Sequence, residues 1–352
     1  MTEDDAYDRE IQRAEWFAEV GQDERAMQIL SGLLARHPDN AGNTYIALAY
    51  AHGRAGRLKD TEAAARRAIA ALPDNPDAHR FLGHALLDQD KELEAERPLR
   101  TALELAPEDD FLHFLMSTAL ASLDRDEEAL FYAREAVRLA PGQARNHMAL
   151  ATAQMDKDPA AAEASLQEAL TLDPTYSHAL FRLAWVRSKR GDHVGAARAI
   201  ASYTTQASDP SEARAAVDDF FHQAVFTLHY GMLACALFML MSAVLVRLAD
   251  LPSWLLLLPL SICAGLTFRA VGRRVQALRL AFAGRGRLMA RSFIRRQRFS
   301  TAWALLLLIT WVALGVGAIQ LLLGGIVILA GALGVGFLLL ISTWIFARLK
   351  MQ

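Results

Sequence analysis

The sequence predicts an all-α protein in which a solenoid of helical hairpins precedes a bundle of four transmembrane helices, arranged as two hairpins. Two observations support this fold class. Residues up to 223 hold 24 Lys and Arg against 38 Asp and Glu, whereas the remaining residues hold 13 against 1. The stretch from Phe299 to Ala347 then runs for 49 residues without a charged side chain, which is longer than one membrane crossing. This composition excludes a purely water-soluble enzyme.

A repeat of about 34 residues organises the N-terminal part of the chain. Its prolines recur at nearly constant intervals, and small residues precede them in register, where two helices must approach closely. The period therefore predicts one helical hairpin per repeat. The prolines are Pro38, Pro73, Pro107, Pro141 and Pro174, the small residues twelve positions earlier are Ala26, Thr61, Ala95, Ala129 and Ala162, and bulky-then-small pairs recur at Leu48-Ala49, Leu82-Gly83, Met116-Ser117, Leu150-Ala151 and Leu183-Ala184.

This pattern resembles the tetratricopeptide repeat (TPR) family, whose units carry a leucine-glycine pair, two alanines and a closing proline. The copy nearest to the family pattern consists of Leu82-Gly83, Ala95, Ala102 and Pro107. The resemblance covers about six units from Tyr7 to about Tyr203, although the fifth unit is one residue short near Asp158-Pro159. It implies a right-handed superhelix with a concave groove that holds an extended peptide or a helix of another protein.

The resemblance also implies that the second, fifth, ninth and twelfth residues of each first helix face the groove. Aromatic and arginine side chains, which binding hot spots favour, are frequent there, although packing between repeats could equally explain each of them. Asn occurs only at Asn43 among the positions of the family's charged clamp, so we do not predict a receptor for chaperone tails. The candidate partner-binding residues are Tyr50, Arg80, His84, Phe111, Phe114, Met148, Phe181 and Trp185.

His79, His113 and His147 recur at the interval of one repeat and so occupy the same position of three successive units. Equivalent positions of stacked hairpins lie about 8 to 10 Å apart, whereas metal ligands lie about 2 Å from a shared ion. We therefore predict no metal site, and we interpret these histidines as substitutes for a bulky residue of the repeat.

Sequence motifs of catalysis and nucleotide binding are missing. The sequence contains no phosphate-binding loop, no His-Glu-x-x-His, no Gly-x-Ser-x-Gly and no Cys-x-x-Cys. The two cysteines, Cys235 and Cys263, lie in apolar runs and are interpreted as packing residues. Acidic pairs such as Asp109-Asp110 are interpreted as helix caps. We therefore expect a binding protein that is not an enzyme and uses no cofactor.

Four apolar segments are long enough to cross a membrane once each. They are 224–246, 251–268, 300–323 and 326–347, and glycines in the last two would permit close helix contact or self-association. The predicted organisation is an acidic tail over 1–6, a TPR solenoid over 7–205, a juxtamembrane linker over 206–223, a transmembrane hairpin over 224–271, an Arg-rich loop over 272–299, and a second transmembrane hairpin with a short basic tail over 300–352.

The Arg-rich loop predicts the topology, because positively charged loops stay in the cytoplasm. It places the N-terminus, the repeats and the C-terminus on the cytoplasmic side. The loop could act only as this topology signal, bind anionic lipid head groups, or contact the acidic repeats, and nucleic acid is disfavoured by the nearby membrane. The candidate lipid contacts are Arg273, Arg274, Arg279, Arg285, Arg287, Arg291, Arg295, Arg296 and Arg298.

The sequence thus favours a membrane-anchored scaffold that recruits a cytoplasmic protein through its groove. The alternatives are a small transporter or lipid-handling protein regulated by the repeats, and a membrane organiser that forms homo-oligomers through its glycine-rich helices. With 32 Arg against 5 Lys, the composition indicates a GC-rich bacterial genome and hence the plasma membrane. No cleavable N-terminal signal is expected, because residues 1–10 are acidic and lack an apolar run.

Overall fold

A computed structural model describes residues 3–206 continuously and further positions singly or in short runs up to residue 276. The further positions are 211, 214–215, 217–218, 231, 234–235, 238, 241–242, 245–246, 249, 252, 255, 258, 261–263, 265–266, 269, 272–273 and 276. The predicted spans over 300–323 and 326–347, and most of the Arg-rich loop, lie outside the described residues.

Residues 3–206 form helical hairpins, with no strand in that range. Odd-numbered helices are the first helices of the hairpins and even-numbered helices are the second. The helices are α1 (Glu3–Glu19), α2 (Asp23–Arg36), α3 (Ala41–Arg54), α4 (Leu58–Ala71), α5 (Pro76–Leu87), α6 (Glu92–Leu105), α7 (Asp110–Ser122), α8 (Asp126–Leu139), α9 (Ala144–Gln154), α10 (Pro159–Leu172), α11 (Ser177–Lys189) and α12 (His193–Gln206), with a 3₁₀ helix at Pro38–Asn40.

The helix α1 begins at Glu3 and therefore includes residues 3–6, which the sequence predicts as a tail. Acidic side chains in the first turn of a helix are stabilised by the positive end of the helix dipole, which explains why this acidic stretch can be helical.

The chain divides into two compact units, residues 1–186 and 187–352. The first unit contains α1 to α10 and α11 as far as Val186. From α1 to α9, each second helix packs against the first helix of its own hairpin and against that of the next, and α10 packs against α9. The first helices also contact one another, α1 with α3, α3 with α5, α5 with α7 and α7 with α9, whereas no two second helices in the described part do so to a similar extent. The first helices from α1 to α9 therefore lie on the inner side of this stack.

Small residues of the repeat permit the close packing of the two helices in each hairpin. Ala26, Ala95, Ala129 and Ala162 are fully buried, as predicted for helix contacts. A side chain at Gly83 would lie 2.5 Å from two carbon atoms of Leu99. The recurring small residues thus set the distance between helices, and the larger apolar side chains fill the space around them.

One residue in the left-handed region turns most hairpins between their first and second helices. Gly21, Gly56 and Gly191 hold φ values of 74°, 68° and 80°, and Asp90 and Asp124 hold 56° and 57° at the same place. The fifth hairpin lacks this residue, because it is one residue short. There Asp158 instead accepts hydrogen bonds from the first two free backbone N–H groups of α10, at 3.1 and 3.0 Å.

Beyond α12, the second unit exposes large apolar side chains at described positions. Phe238, Met241 and Leu245 are 46%, 64% and 60% exposed, and the same holds for Leu258, Ile262 and Leu266. The Cys263 thiol lies 3.7 Å from the carbonyl oxygen of Cys235, so two segments far apart in sequence meet there. No helix among the described residues is both long enough and apolar enough to cross a bilayer.

Candidate partner-binding surface

The eight predicted groove residues all lie on first helices of the first unit, and each is half-buried. We call them, together with Phe81, Arg145, Tyr176 and Arg182, the inner face. Half-burial leaves part of each side chain available for a partner while the remainder is held in place by neighbours. The groove assignment itself stays a prediction.

Phe111 of α7 is the centre of an aromatic and cationic cluster on the inner face. The guanidinium carbons of Arg80 and Arg145 lie 5.7 and 5.2 Å from its ring centroid. The His84 ring meets it edge-on at 5.8 Å and Phe114 stacks on it at 5.6 Å. Cations over a ring face and offset aromatic pairs are both attractive arrangements, so three neighbouring first helices are joined here.

Carboxylates on neighbouring positions orient the two arginines of this cluster. Arg80 donates hydrogen bonds to Asp77 at 3.1 and 2.5 Å and also lies 4.6 Å from the Phe81 ring centroid. Arg145 donates to Asp110 across two helices at 2.8 Å. Because a carboxylate fixes the orientation of each guanidinium, the remaining N–H groups point in fixed directions.

Asn146 supports the same cluster from inside the stack. It is fully buried, and its side-chain amide donates to Asp110 at 2.9 Å and to the carbonyls of Ala136 and Ala140 at 2.9 and 3.2 Å. It thereby connects α9 to α7 and to the end of α8.

Phe81, Arg145 and Arg182 are absent from the predicted set. Arg145 lies 34 residues after Phe111 and so occupies the same position in the next repeat. This equivalence could have identified Arg145 from the sequence. Phe81 joins Tyr50 at a ring-centroid distance of 6.3 Å and carries Arg80 on its face. The equivalent residues of the next two repeats, Leu115 and Ala149, are apolar and buried, so the sequence pattern assigns Phe81 to the core.

The two ends of the inner face differ in charge. At the α1 end, burial raises the pKa of Glu15, and the neighbouring Glu19 and Asp77 carboxylates raise it further. Burial also raises the pKa of Tyr50, whose hydroxyl donates to Glu19 at 3.4 Å. At the α11 end, burial lowers the pKa of Arg182 because the charged guanidinium is removed from water.

Second helices carry a repeated ion-pair arrangement instead of aromatic clusters. Glu62 of α4 accepts hydrogen bonds from Arg66 at 2.9 Å and from Lys91 at 3.2 Å. Glu96, at the same position of the next repeat, accepts from Arg100 at 2.6 Å and from Arg125 at 2.8 Å. In each case the hydrogen bond from the arginine of the same helix is the largest cause of a lowered carboxyl pKa. These pairs connect the second hairpin to the third and the third hairpin to the fourth.

The three equivalent histidines have a structural role. Nε2 of His79, His113 and His147 lies 2.7, 2.9 and 2.8 Å from the carbonyl oxygens of Pro73, Pro107 and Pro141. Since a carbonyl oxygen can only accept, each ring donates from Nε2 to the closing proline before its helix. No group of three or more His, Cys, Asp or Glu in the described part is arranged to hold a metal ion.

Among the candidate lipid contacts, Arg273 is described, and it is exposed. The other candidates, from Arg274 to Arg298, lie outside the described residues. Asp109 accepts hydrogen bonds from the backbone N–H groups of Phe111 and Leu112 at 2.8 and 3.3 Å, which confirms its interpretation as the cap of α7.

Comparison with known proteins supports the fold. Residues 153–218 match the sequence profile of the Tetratricopeptide repeat family. A chain of the APC/C hetero-tetramer Cut9-Hcn1 matches with a TM-score of 0.52 at 14% identity, over 76% of this chain and 47% of that one, so this chain spans about half of that relative. No curated protein matches the chain in sequence.

Two bacterial structures are also similar at lower TM-scores. TTC0263, a TPR protein of Thermus thermophilus, is 22% identical with a TM-score of 0.45, over 49% of this chain and 95% of that one. Pseudomonas aeruginosa pilF is 20% identical with a TM-score of 0.44, over 52% and 83%. The family match thus supports tetratricopeptide repeats over residues 153–218, and helical hairpins of the same period occupy the described residues before it.

Proposed function

We propose that the protein is a membrane-anchored adaptor whose repeats recruit a cytoplasmic protein through the inner face. The observation that carries this proposal is the row of half-buried aromatic and arginine side chains on successive first helices, centred on Phe111. Arginine and aromatic side chains in partly desolvated positions dominate the energetics of protein interfaces. Binding, without a chemical step, is the function that these side chains support.

Membrane anchoring is supported by the apolar sequence after residue 223 and by the exposed side chains in it. The six exposed apolar residues from Phe238 to Leu266 would cost free energy in water, whereas a lipid environment accepts them. The arginines between the two predicted hairpins favour a cytoplasmic position for the loop and therefore for the repeats. The Arg-rich loop is proposed to contact anionic lipid head groups there.

Affinity capture from native membranes tests the adaptor directly. We would compare the intact chain with the double variant Phe114→Ala and Trp185→Ala, and identify retained proteins by mass spectrometry. The matched control is Phe131→Ala, which removes an aromatic side chain that is 59% exposed on the second helix α8. Circular dichroism would verify that all variants keep the helical content of the intact chain.

The proposal predicts one protein retained by the intact chain and by the Phe131 variant, and lost from the double variant. Equal retention by a folded double variant would refute the inner face as the binding surface. Retention only of further copies of the chain would instead favour the membrane organiser. Carbonate extraction of membranes tests the anchor separately, since an integral protein stays in the pellet.

A further inference from the structure

Arg182 is a charged residue at a position that the three preceding repeats fill with apolar side chains. The equivalent residues are Phe81, Leu115 and Ala149, one in each of the three preceding repeats. Its contact is weak, since Nη1 lies 3.7 Å from the sulfur of Met155. No carboxylate in the described part pairs with it. A desolvated guanidinium without an anion is unfavourable for the free protein, so a bound anion would compensate for it.

Arg145, one first helix earlier, also has unused hydrogen-bonding capacity. Its Nη1 donates to Gln143 at 3.0 Å and its Nη2 donates to Asp110 at 2.8 Å. Its Nε is buried and makes no hydrogen bond in the described structure. Arg145 and Arg182 both lie close enough to Tyr176 to oppose the effect of burial, which raises the pKa of that phenol. Arg182 contacts Met155 at the C-terminal end of α9, whereas Arg145 lies at the start of that helix, and both lie near the Tyr176 phenol that precedes α11.

From α3 to Val186, charge differs between the two sets of helices, whereas α1, which is also a first helix, holds seven acids against two arginines. From α3 to Val186, the first helices hold two acids, Asp77 and Asp110, against four arginines, Arg54, Arg80, Arg145 and Arg182, which gives +2. The second helices α4, α6, α8 and α10 hold twelve acids against seven Lys and Arg, which gives −5. These first helices therefore do not contribute to the net negative charge of the repeats. Their positive charge attracts an acidic partner.

We propose that the α9–α11 part of the inner face binds an acidic, extended segment of the partner protein, with Asp or Glu side chains against Arg145 and Arg182. This inference rests on the proposed adaptor function and specifies the chemistry of the partner. Apolar residues accompany both arginines, since Phe111 and Phe114 lie on α7, next to α9, and Trp185 lies three residues after Arg182 on α11. A segment that continues in both directions can use all of them, whereas a chain terminus cannot. Internal carboxylates are therefore the source.

Selection from a random library of short peptides, displayed with a fused C-terminus, tests the proposal on the full chain in a mild detergent. Because fusion removes the terminal carboxylate, only side chains can supply the anion. The variant is Arg182→Leu, which restores the apolar residue type found in the three preceding repeats. The control is Arg134→Leu, which changes the net charge equally at an exposed position of α8.

We expect selected peptides to be enriched in Asp and Glu together with aromatic residues. A selected acidic peptide should bind Arg182→Leu about tenfold or more weakly, and Arg134→Leu equally well. Removal of the unpaired guanidinium should meanwhile leave the midpoint of thermal unfolding unchanged or higher. If Arg182→Leu binds the peptide more weakly but is equally stable, unfolding cannot explain the weaker binding.

Each other outcome is decisive. Recovery of no peptide would count against the adaptor function itself. Recovery of peptides without an acidic bias, or acidic peptides that bind Arg182→Leu normally, would leave the adaptor intact and overturn the acidic site. A free peptide whose affinity collapses on C-terminal amidation would identify a terminus as the ligand instead. Displacement by a single-stranded oligonucleotide, but not by excess unlabelled peptide, would show a nucleic-acid surface.

Discussion

First and second helices of this stack share one sequence period but use their accessible side chains differently. On the second helices, the carboxylates of Glu62 and Glu96 each join cations of two hairpins. On the first helices, rings and guanidiniums surround Phe111, and Arg182 has no carboxylate partner among the described residues. Charges that are satisfied internally stabilise the stack, whereas an unsatisfied charge beside aromatic rings is suited to a ligand.

Within one repeat unit, the residues that join neighbouring repeats therefore differ in position from the residues available to bind a partner. The ion pairs at Glu62 and Glu96 lie one repeat apart and keep the same chemistry in two successive repeats. The position of Phe81, Leu115, Ala149 and Arg182 changes its chemistry from repeat to repeat. Variation on a constant backbone lets successive repeats recognise different parts of a partner.

The largest expected effect is on stability, and it comes from a substitution in the core between the first and second helices. Leu99→Ala in α6 creates a cavity where a fully buried side chain packs beside Gly83. The free energy of unfolding should fall by about 2 to 5 kcal/mol, measured by urea denaturation. Leu93→Ala, on the same helix but 74% exposed, is the control and should change it little. Similar losses in both variants would contradict the assigned packing.

A smaller loss of stability is expected when a buried residue that supports the inner face is replaced. Asn146→Ala removes the side-chain hydrogen bonds to Asp110 and to the carbonyl oxygens of Ala136 and Ala140, although both carbonyls keep a backbone donor. We expect a loss of about 1 to 3 kcal/mol in unfolding free energy. Thr152→Ala removes a hydrogen bond within α9 only and should cost less. If the two variants lost equal stability, Asn146 would not be the connection that we describe.

The ion pairs of the second helices should give a modest, pH-dependent effect. The pKa of Glu96 is lowered from its ordinary value of 4.5, chiefly by the hydrogen bond from Arg100, so the folded state favours the ionised form. Its contribution is fully present above pH 4.5 and is lost as the pH falls below that value. Glu96→Gln should cost about 0.5 to 1 kcal/mol at pH 7 and nothing at strongly acidic pH.

Chemical denaturation of Glu96→Gln at several pH values checks this expectation. Glu104→Gln, an exposed residue of the same helix, is the matched control. A loss that persisted unchanged at acidic pH would show that the carboxylate charge is not responsible.

The smallest effect concerns the turns between the helices. Asp124 holds a φ of 57° where three other hairpins have glycine. Asp124→Gly should therefore raise the unfolding free energy by about 0.5 to 1 kcal/mol. Asp126→Gly, in the first turn of α8, should lower it by a similar amount. A decrease for Asp124→Gly would mean that this side chain contributes more than its backbone costs.

Periodicity made the hairpins and their contacts predictable from sequence. The recurring alanines predict close helix contacts, and those alanines are fully buried. Arg182 could not be assigned in this way, because its position is apolar in the three preceding repeats and because its lack of a carboxylate partner among the described residues depends on three-dimensional neighbours. The role of the three histidines was also hidden, because a hydrogen bond to a proline carbonyl earlier in the chain leaves no signature beyond the spacing itself.

Hydroxyl-radical footprinting of the chain, alone and with its captured partner, tests the central claim most directly. It reports the solvent exposure of individual aromatic side chains in one experiment. We predict protection of Phe111, Phe114 and Trp185 on the first helices, with unchanged labelling of Phe131 on the second helix α8. Protection of Phe131 with unchanged labelling of the three inner residues would contradict the account.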